Sequence, residues 1–157
     1  MKQFGKHPFA VVLGLAIAML VPGVASADES YFGVRFGYYA SSEHAFLGAE
    51  FLTPLAHRIY FNPNVEYVFA DGQTYMTFNA DFHYDFPSHH HRTFVWLGAG
   101  LGVAYVDPDG PAESNTDIAA NFLAGVGHRS GSVIPYFQFK LIAKGDTEAV
   151  IAFGLRF

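Results

Sequence analysis

The stretch Ala149-Val150-Ile151-Ala152-Phe153-Gly154-Leu155-Arg156-Phe157 ends the chain and decides how the rest is read. Side chains of an extended strand point alternately to opposite faces. Ala149, Ile151, Phe153, Leu155 and Phe157 therefore share one greasy face. Val150, Ala152, Gly154 and Arg156 share a face of small groups and one charge. This is a two-faced strand, and the question it raises is which face meets water.

Working back from this strand, period-two alternation recurs in segments of about 9–11 residues or slightly more, the length of a barrel-spanning strand. Eight are read: 30–40, 45–53, 57–70, 75–86, 93–106, 116–128, 133–144 and the terminal one. The fourth alternates most clearly, with Met76, Phe78, Ala80, Phe82, Tyr84 and Phe86 against Thr77, Asn79, Asp81, His83 and Asp85. Turn-forming residues separate the segments: Ser41-Ser42-Glu43, Thr53 to Ala56, Asp71-Gly72-Gln73, Pro87 to His91, Asp107 to Asn115, Arg129 to Ser132, and Gly145-Asp146. Pro63 has no N–H for a ladder, so a bulge or a late start is expected in the third strand. The expected fold is all-β: an eight-stranded antiparallel up-and-down transmembrane barrel.

The N-terminus carries a different signal. Lys2 and Lys6 precede an apolar run from Phe9 to Val21, Pro22-Gly23 breaks it, and Ala25-Ser26-Ala27 places small residues at a cleavage site. This reads as a secretory signal peptide over 1–27, leaving 28–157 as a single barrel domain. The apolar run is too short for a membrane-spanning helix of about 20 residues. Nine basic and fourteen acidic residues occur in the chain. The leader removes two basic residues and no acidic one, so seven basic stand against fourteen acidic. An acidic chain of this kind is a poor ligand for nucleic acid. No cysteine is present, so no disulfide supports the exported domain. Without a long apolar helix, membrane insertion requires a closed barrel, because an open sheet would leave backbone groups unpaired in lipid.

Alternation alone allows two barrels. A soluble carrier buries its apolar face around a hydrophobic ligand, and a membrane barrel turns that face outward. Three features favour the membrane. The polar face is rich in Gly and Ala and sparse in charge, unlike a soluble surface. An eight-stranded lumen is just wide enough for side chains to fill, and such residues suit it. Aromatics make up 17% of the chain, and Tyr38, Tyr67, Tyr84, Tyr105 and Phe157 fall near strand ends on the apolar face, where an interfacial girdle belongs.

On strand number, strand length, polarity pattern and the terminal Phe157, the mature chain resembles the small eight-stranded outer-membrane β-barrels, the group of the OmpA transmembrane domain and OmpX-like proteins. The resemblance implies several things. The protein resides in the outer membrane and contacts lipid and lipopolysaccharide. The barrel-assembly machinery recognises the strand ending in Phe157. Both termini face the periplasm. A charged plug fills the lumen and passes little or no solute.

With the apolar face outward, Arg35, Glu50, Glu66, Asp81, Lys140, Glu148 and Arg156 point inward. Charges held in a narrow interior need partners. The expected arrangement is a network in which Arg35, Lys140 and Arg156 neutralise Glu50, Glu66 and Asp81, with Asn62, Asn79, Asn121 and Gln138 completing its hydrogen bonds. An acid/base catalytic reading of these carboxylates is weaker, because both signs of charge are present and no cleft is indicated.

Three further motifs carry chemically versatile side chains. His89-His90-His91 contains metal-binding side chains, but adjacent residues on an extended turn diverge, so a solvated turn is expected. His128-Arg129-Ser130 resembles the His-x-Ser element of outer-membrane lipid A deacylases over three residues, at a periplasmic turn rather than the outer leaflet. Asp107-Pro108-Asp109-Gly110, with Glu113 and Asp117, is acidic enough for Ca²⁺ or Mg²⁺ but lacks EF-hand spacing. The functional expectation is a non-enzymatic outer-membrane barrel without a cofactor, serving envelope integrity or surface interaction. A lipid-modifying enzyme and a soluble periplasmic carrier are the rivals.

Overall fold

The computed structural model describes residues 30–86 and 92–157. The leader 1–27 and the candidate metal residues His89, His90 and His91 lie outside them. Eight strands form one closed barrel: β1 (Tyr31–Tyr39), β2 (His44–Ala56), β3 (Ile59–Val68), β4 (Gln73–Phe86), β5 (Thr93–Pro108), β6 (Asn115–His128), β7 (Ile134–Lys144) and β8 (Asp146–Arg156). Each pairs antiparallel with its sequence neighbours, and β8 closes on β1, with Gly33 opposite Arg156 and Tyr39 opposite Val150. The seam continues past β8, where the Phe157 and Phe32 backbones exchange hydrogen bonds at 2.8 and 3.2 Å. Closure leaves no sheet edge unpaired.

Up-and-down topology places the β1–β2, β3–β4, β5–β6 and β7–β8 turns at one end of the barrel. The other turns and the chain terminus lie at the opposite end. The strands run further into the turns than their composition predicts. Thr53, Pro54, Leu55 and Ala56 belong to β2, and the turn is only His57-Arg58, with Arg58 at φ 63°. The acidic loop shrinks to 109–114, because Asp107 and Pro108 end β5 and Asn115 begins β6. Backbone pairing across the barrel outweighs local turn preference at these positions.

Pro63 does not interrupt its strand. The β2–β3 register is the same on either side of it, with Glu50 opposite Asn64 and Thr53 opposite Phe61, and the irregularity falls instead between Pro54 and Ala56. Phe69 N–H donates to the Ala45 carbonyl. Every second pair from there repeats that bond, so position 63 would be the donor to the Phe51 carbonyl. Asn62 substitutes its side chain, donating Nδ2 to that carbonyl at 3.4 Å. The proline costs one ladder bond and is partly compensated by its neighbour.

The two faces separate cleanly. Phe36, Leu101, Ile118 and Phe122 are 59, 63, 72 and 55% exposed, whereas Arg35, Glu66, Asp81, Lys140 and Arg156 are at 0%. Of the five expected girdle residues, Tyr38, Tyr67, Tyr84 and Phe157 are exposed. Tyr105 is buried, lying opposite Met76 and Thr116.

Candidate functional site

The lumen holds three layers of side chains. Near the end bearing the β1–β2 and β5–β6 turns, Tyr39, Phe46, Val68, Ile142 and Val150 form an apolar cluster with Tyr75 packed against it. Near the terminus end, Phe94, Trp96, Leu123, Ile134 and Tyr136 form a second. Between them lies a polar belt. Arg156 Nε donates to Glu50 Oε1 at 2.7 Å. Arg35 bridges Glu50 at 3.5 Å and Glu66 at 3.2 Å. Lys140 bridges Glu66 at 3.3 Å and Asp81 at 3.7 Å. The belt is a chain of alternating charge, Arg156–Glu50–Arg35–Glu66–Lys140–Asp81, with three charges of each sign.

Amides extend the chain. Asn62 Nδ2 donates to Glu50 at 3.0 Å, and Asn64 Nδ2 donates to Asp81 at 3.1 Å. Asn79 donates to Asn64 Oδ1 at 3.0 Å, and Asn121 donates to Asn79 at 2.9 Å and to Asp81 at 2.8 Å. Gln138 is buried, yet among the described residues its Nε2 has no hydrogen-bond partner. Glu148 departs from the expected set. It sits at the rim, where its carboxylate accepts the Ser41 and Ser42 backbone N–H at 2.6 and 3.1 Å. Its strand position points it inward, but the β1–β2 turn closes over that end of β8 and offers orphan backbone donors, so the carboxylate caps the turn.

Several contributors escaped sequence reading, among them Asn64, Tyr39, Thr77 and Trp96. Tyr39 donates its hydroxyl to Glu66, and Thr77 Oγ1 donates to the same carboxylate at 3.1 Å. Tyr39 continues the inward series Gly33, Arg35, Gly37, so strand parity contained the signal. Trp96 is at 1% exposure, with His83 stacked on it and Arg156 over its ring at 5.2 Å. Arg156 also lies 4.3 Å from the Tyr136 ring centroid. These contacts attach the polar belt to the aromatic layer.

Glycine makes room for these rings. Gly125 lies opposite Trp96 across β5–β6, and a side-chain carbon there would run into the indole. Gly154 leaves the same room for Tyr136. Gly125→Val is expected to destabilise the barrel by about 1–3 kcal/mol through overpacking and to red-shift the emission of Trp96, the one tryptophan of the chain. An unshifted spectrum and an unchanged unfolding midpoint would show that the lumen is looser than described.

Among the described residues, the His128-Arg129-Ser130 and acidic-loop motifs have partners of their own. His128 Nδ1 is 3.0 Å from Thr93 Oγ1, and Ser130 spends its backbone on Val133. Asp117 is held by Lys144 at 3.5 Å and by Asn115 at 3.2 Å. Among the described residues, no three His, Cys, Asp or Glu side chains form a metal-sized group.

A closed eight-stranded barrel, apolar outside and ion-paired within, defines a small up-and-down barrel of the inside-out kind. Solved structures share this fold. The chain is similar to the N-terminal β-barrel domain of Pseudomonas aeruginosa OprF (TM-score 0.67, 12% identity, covering 82% of this chain and 96% of that one). It is also similar to Neisserial surface protein A (0.59, 13%, 81% and 92%) and to Yersinia pestis Ail, the attachment invasion locus protein, in complex with the heparin analogue sucrose octasulfate (0.57, 12%, 82% and 97%). At such identities the likeness is one of fold. No protein-family model and no curated protein sequence matches the chain.

Proposed function

We propose that the protein is an integral barrel of a Gram-negative-type outer membrane, non-catalytic and closed, serving envelope integrity or surface interaction. The observation that carries this reading is the outward belt of exposed Phe, Leu, Ile, Val and Tyr around an interior that sequesters every ion pair of the belt. A water-soluble barrel has the opposite polarity. In this reading the hydrocarbon band covers Phe32 to Tyr38 of β1, Leu97 to Val103 of β5 and Ile151 to Leu155 of β8. The termini face the periplasm and the β5–β6 loop faces outward. Lipopolysaccharide and membrane lipid are the contacting partners, and the strand ending in Phe157 is what the assembly machinery engages. Two apolar layers and an ion-paired belt crowd the lumen, which supports a non-conducting role.

The test is expression of the full chain followed by envelope fractionation and comparison of boiled and unboiled electrophoretic mobility. The protein is expected to sediment with outer membrane and to shift on heating. Recovery from the periplasm without detergent would overturn the membrane assignment. Mass spectrometry of lipid A from the same cells is expected to show unchanged acylation; altered acylation would overturn the non-catalytic reading.

A further inference from the structure

On the outer face, toward the terminus end of the barrel, an open apolar groove of about 500 Å³ runs along β6. Its floor is Ala124 and Gly125, with Trp96 beneath. Its walls are Phe86 and Leu97 on one side and Phe137 and Phe139 on the other. Register explains the hollow. Ala124 stands opposite Leu97 on β5 and Phe139 on β7, so one methyl group lies between two long side chains. The outward residues before and after it on β6, Phe122 and Val126, are exposed and larger. At one end the groove runs toward polar groups. Thr93 and His128 form the next outward pair beyond Val95 and Val126. His128 is exposed, and its Nδ1 lies 3.0 Å from Thr93 Oγ1. A neutral ring that accepts the threonine hydroxyl at Nδ1 carries its proton at Nε2, and so presents a donor to an anionic oxygen. Just past this pair, the Arg129 N–H donates to the Arg92 carbonyl at 2.7 Å, which sets both arginines at the rim.

Charge and depth select the occupant. Among the described residues, the arginines outside the belt, Arg58, Arg92 and Arg129, all lie at this end of the barrel, whereas the opposite rim carries Glu43, Asp71, Asp109, Glu113 and Asp146. Asp85, at the same end as the arginines, turns inward to His83 at 3.3 Å. Arg129 lies over the Phe94 ring at 4.6 Å, and among the described residues neither it nor Arg92 has an ion-pair partner. The rim is therefore positive where the groove reaches it, and a phosphate at His128 sits within the range of that field. A zwitterionic headgroup gains less, because its ammonium meets arginines instead of carboxylates. Depth agrees. Leu101 is opposite Ala120, and His128 lies eight residues further along β6. At about 3.4 Å per residue and a tilt of about 45°, that is about 20 Å from the midplane, past the roughly 15 Å half-thickness of the hydrocarbon. The groove thus lies at acyl-chain level and His128 at headgroup level. We propose that this groove binds one anionic glycerophospholipid, with an acyl chain over Ala124 and the phosphate at His128 in the field of Arg92 and Arg129. The inference rests on the membrane assignment and names a lipid that the barrel selects there.

Trp96, beneath the groove floor, is the natural reporter. The full mature barrel is refolded into phosphatidylcholine vesicles that contain a small, equal fraction of phosphatidylglycerol or phosphatidylcholine with brominated acyl chains, which quench indole emission. Brominated phosphatidylglycerol is expected to reach half-quenching at a lower fraction, by about fivefold for each of the two arginines. Arg92→Gln with Arg129→Gln, both on exposed rim positions, is expected to bring the two lipids to the same half-quenching fraction. Ala124→Phe fills the groove from the outer face and leaves the arginines and the lumen in place. It is expected to remove the preference while the heat-dependent mobility shift persists. Equal quenching of the inserted wild type by the two lipids overturns the site and leaves the membrane assignment standing. Failure of the folded barrel to float with vesicles overturns both. An undiminished preference in folded Ala124→Phe shows that the groove is not where the lipid lies, and overturns the proposal. Lipopolysaccharide that displaces the brominated lipid more effectively than unlabelled phosphatidylglycerol assigns the groove to that glycolipid and overturns the choice of a phospholipid.

Discussion

Glu50→Ala is expected to lower the stability of the barrel by about 3–5 kcal/mol, the cost of breaking a buried ion pair by removing one partner. Glu50 stands between two guanidiniums and is itself 2% exposed. It pairs with Arg156 at 2.7 Å and Arg35 at 3.5 Å, and it accepts a hydrogen bond from Asn62 at 3.0 Å. Without it, Arg35 keeps Glu66, but Arg156 retains, among the described residues, the faces of Tyr136 and Trp96. The measurement is urea unfolding in detergent followed by Trp96 emission, and the midpoint falls. The double variant Glu50→Leu with Arg156→Met removes both charges and leaves Arg35 and Lys140 balanced by Glu66 and Asp81. It is expected to recover much of the loss, since apolar replacement of a whole buried pair is often neutral. The difference between single and double variants gives the coupling directly. A Glu50→Ala midpoint equal to wild type would mean that the belt contributes nothing to stability.

Leu101→Arg is expected to cost about 2–4 kcal/mol in a bilayer, the penalty for a basic side chain at the midplane on the lipid face of a barrel. Leu101 is 63% exposed and lies opposite Ala80 and Ala120, in the middle of its strand. Unfolding in phospholipid vesicles reads the loss. Asp107→Arg, on the same strand and face but at its end, is expected to cost about 0–1 kcal/mol, since the penalty decays toward the interface. The two environments make opposite statements about this position. In water, an exposed leucine replaced by arginine changes stability within about 0.5 kcal/mol. Equal effects at 101 and 107 would therefore sink the lipid-facing assignment without any appeal to where the protein is found.

The strands were legible because their signal is local. Alternation from Met76 to Phe86 or from Ala149 to Phe157 states which residues share a face, whatever they pair with. The same parity places Arg35, Glu50, Glu66, Asp81, Lys140 and Arg156 on one side of the sheet. Turn limits were less legible. Thr53 to Ala56 and Asp107-Pro108 have turn composition but lie in strands, because each pairs with a neighbour whose position is not written in those residues. Pro63 misled for the same reason, since the repair comes from Asn62 reaching Phe51 across β2.

Strand number, side-chain parity and the sorting of charged from apolar faces were determined by the sequence alone, because an extended chain alternates its side chains without help from any partner. Tertiary structure decided height and neighbourhood within the barrel. Register set Gly125 opposite Trp96 and made room for the indole. It ordered six charges into an alternating chain and carried Glu148, of the same parity, out to the rim. The physical reason is that parity is a property of one strand, whereas the level at which side chains from eight strands meet is set only when β8 closes on β1.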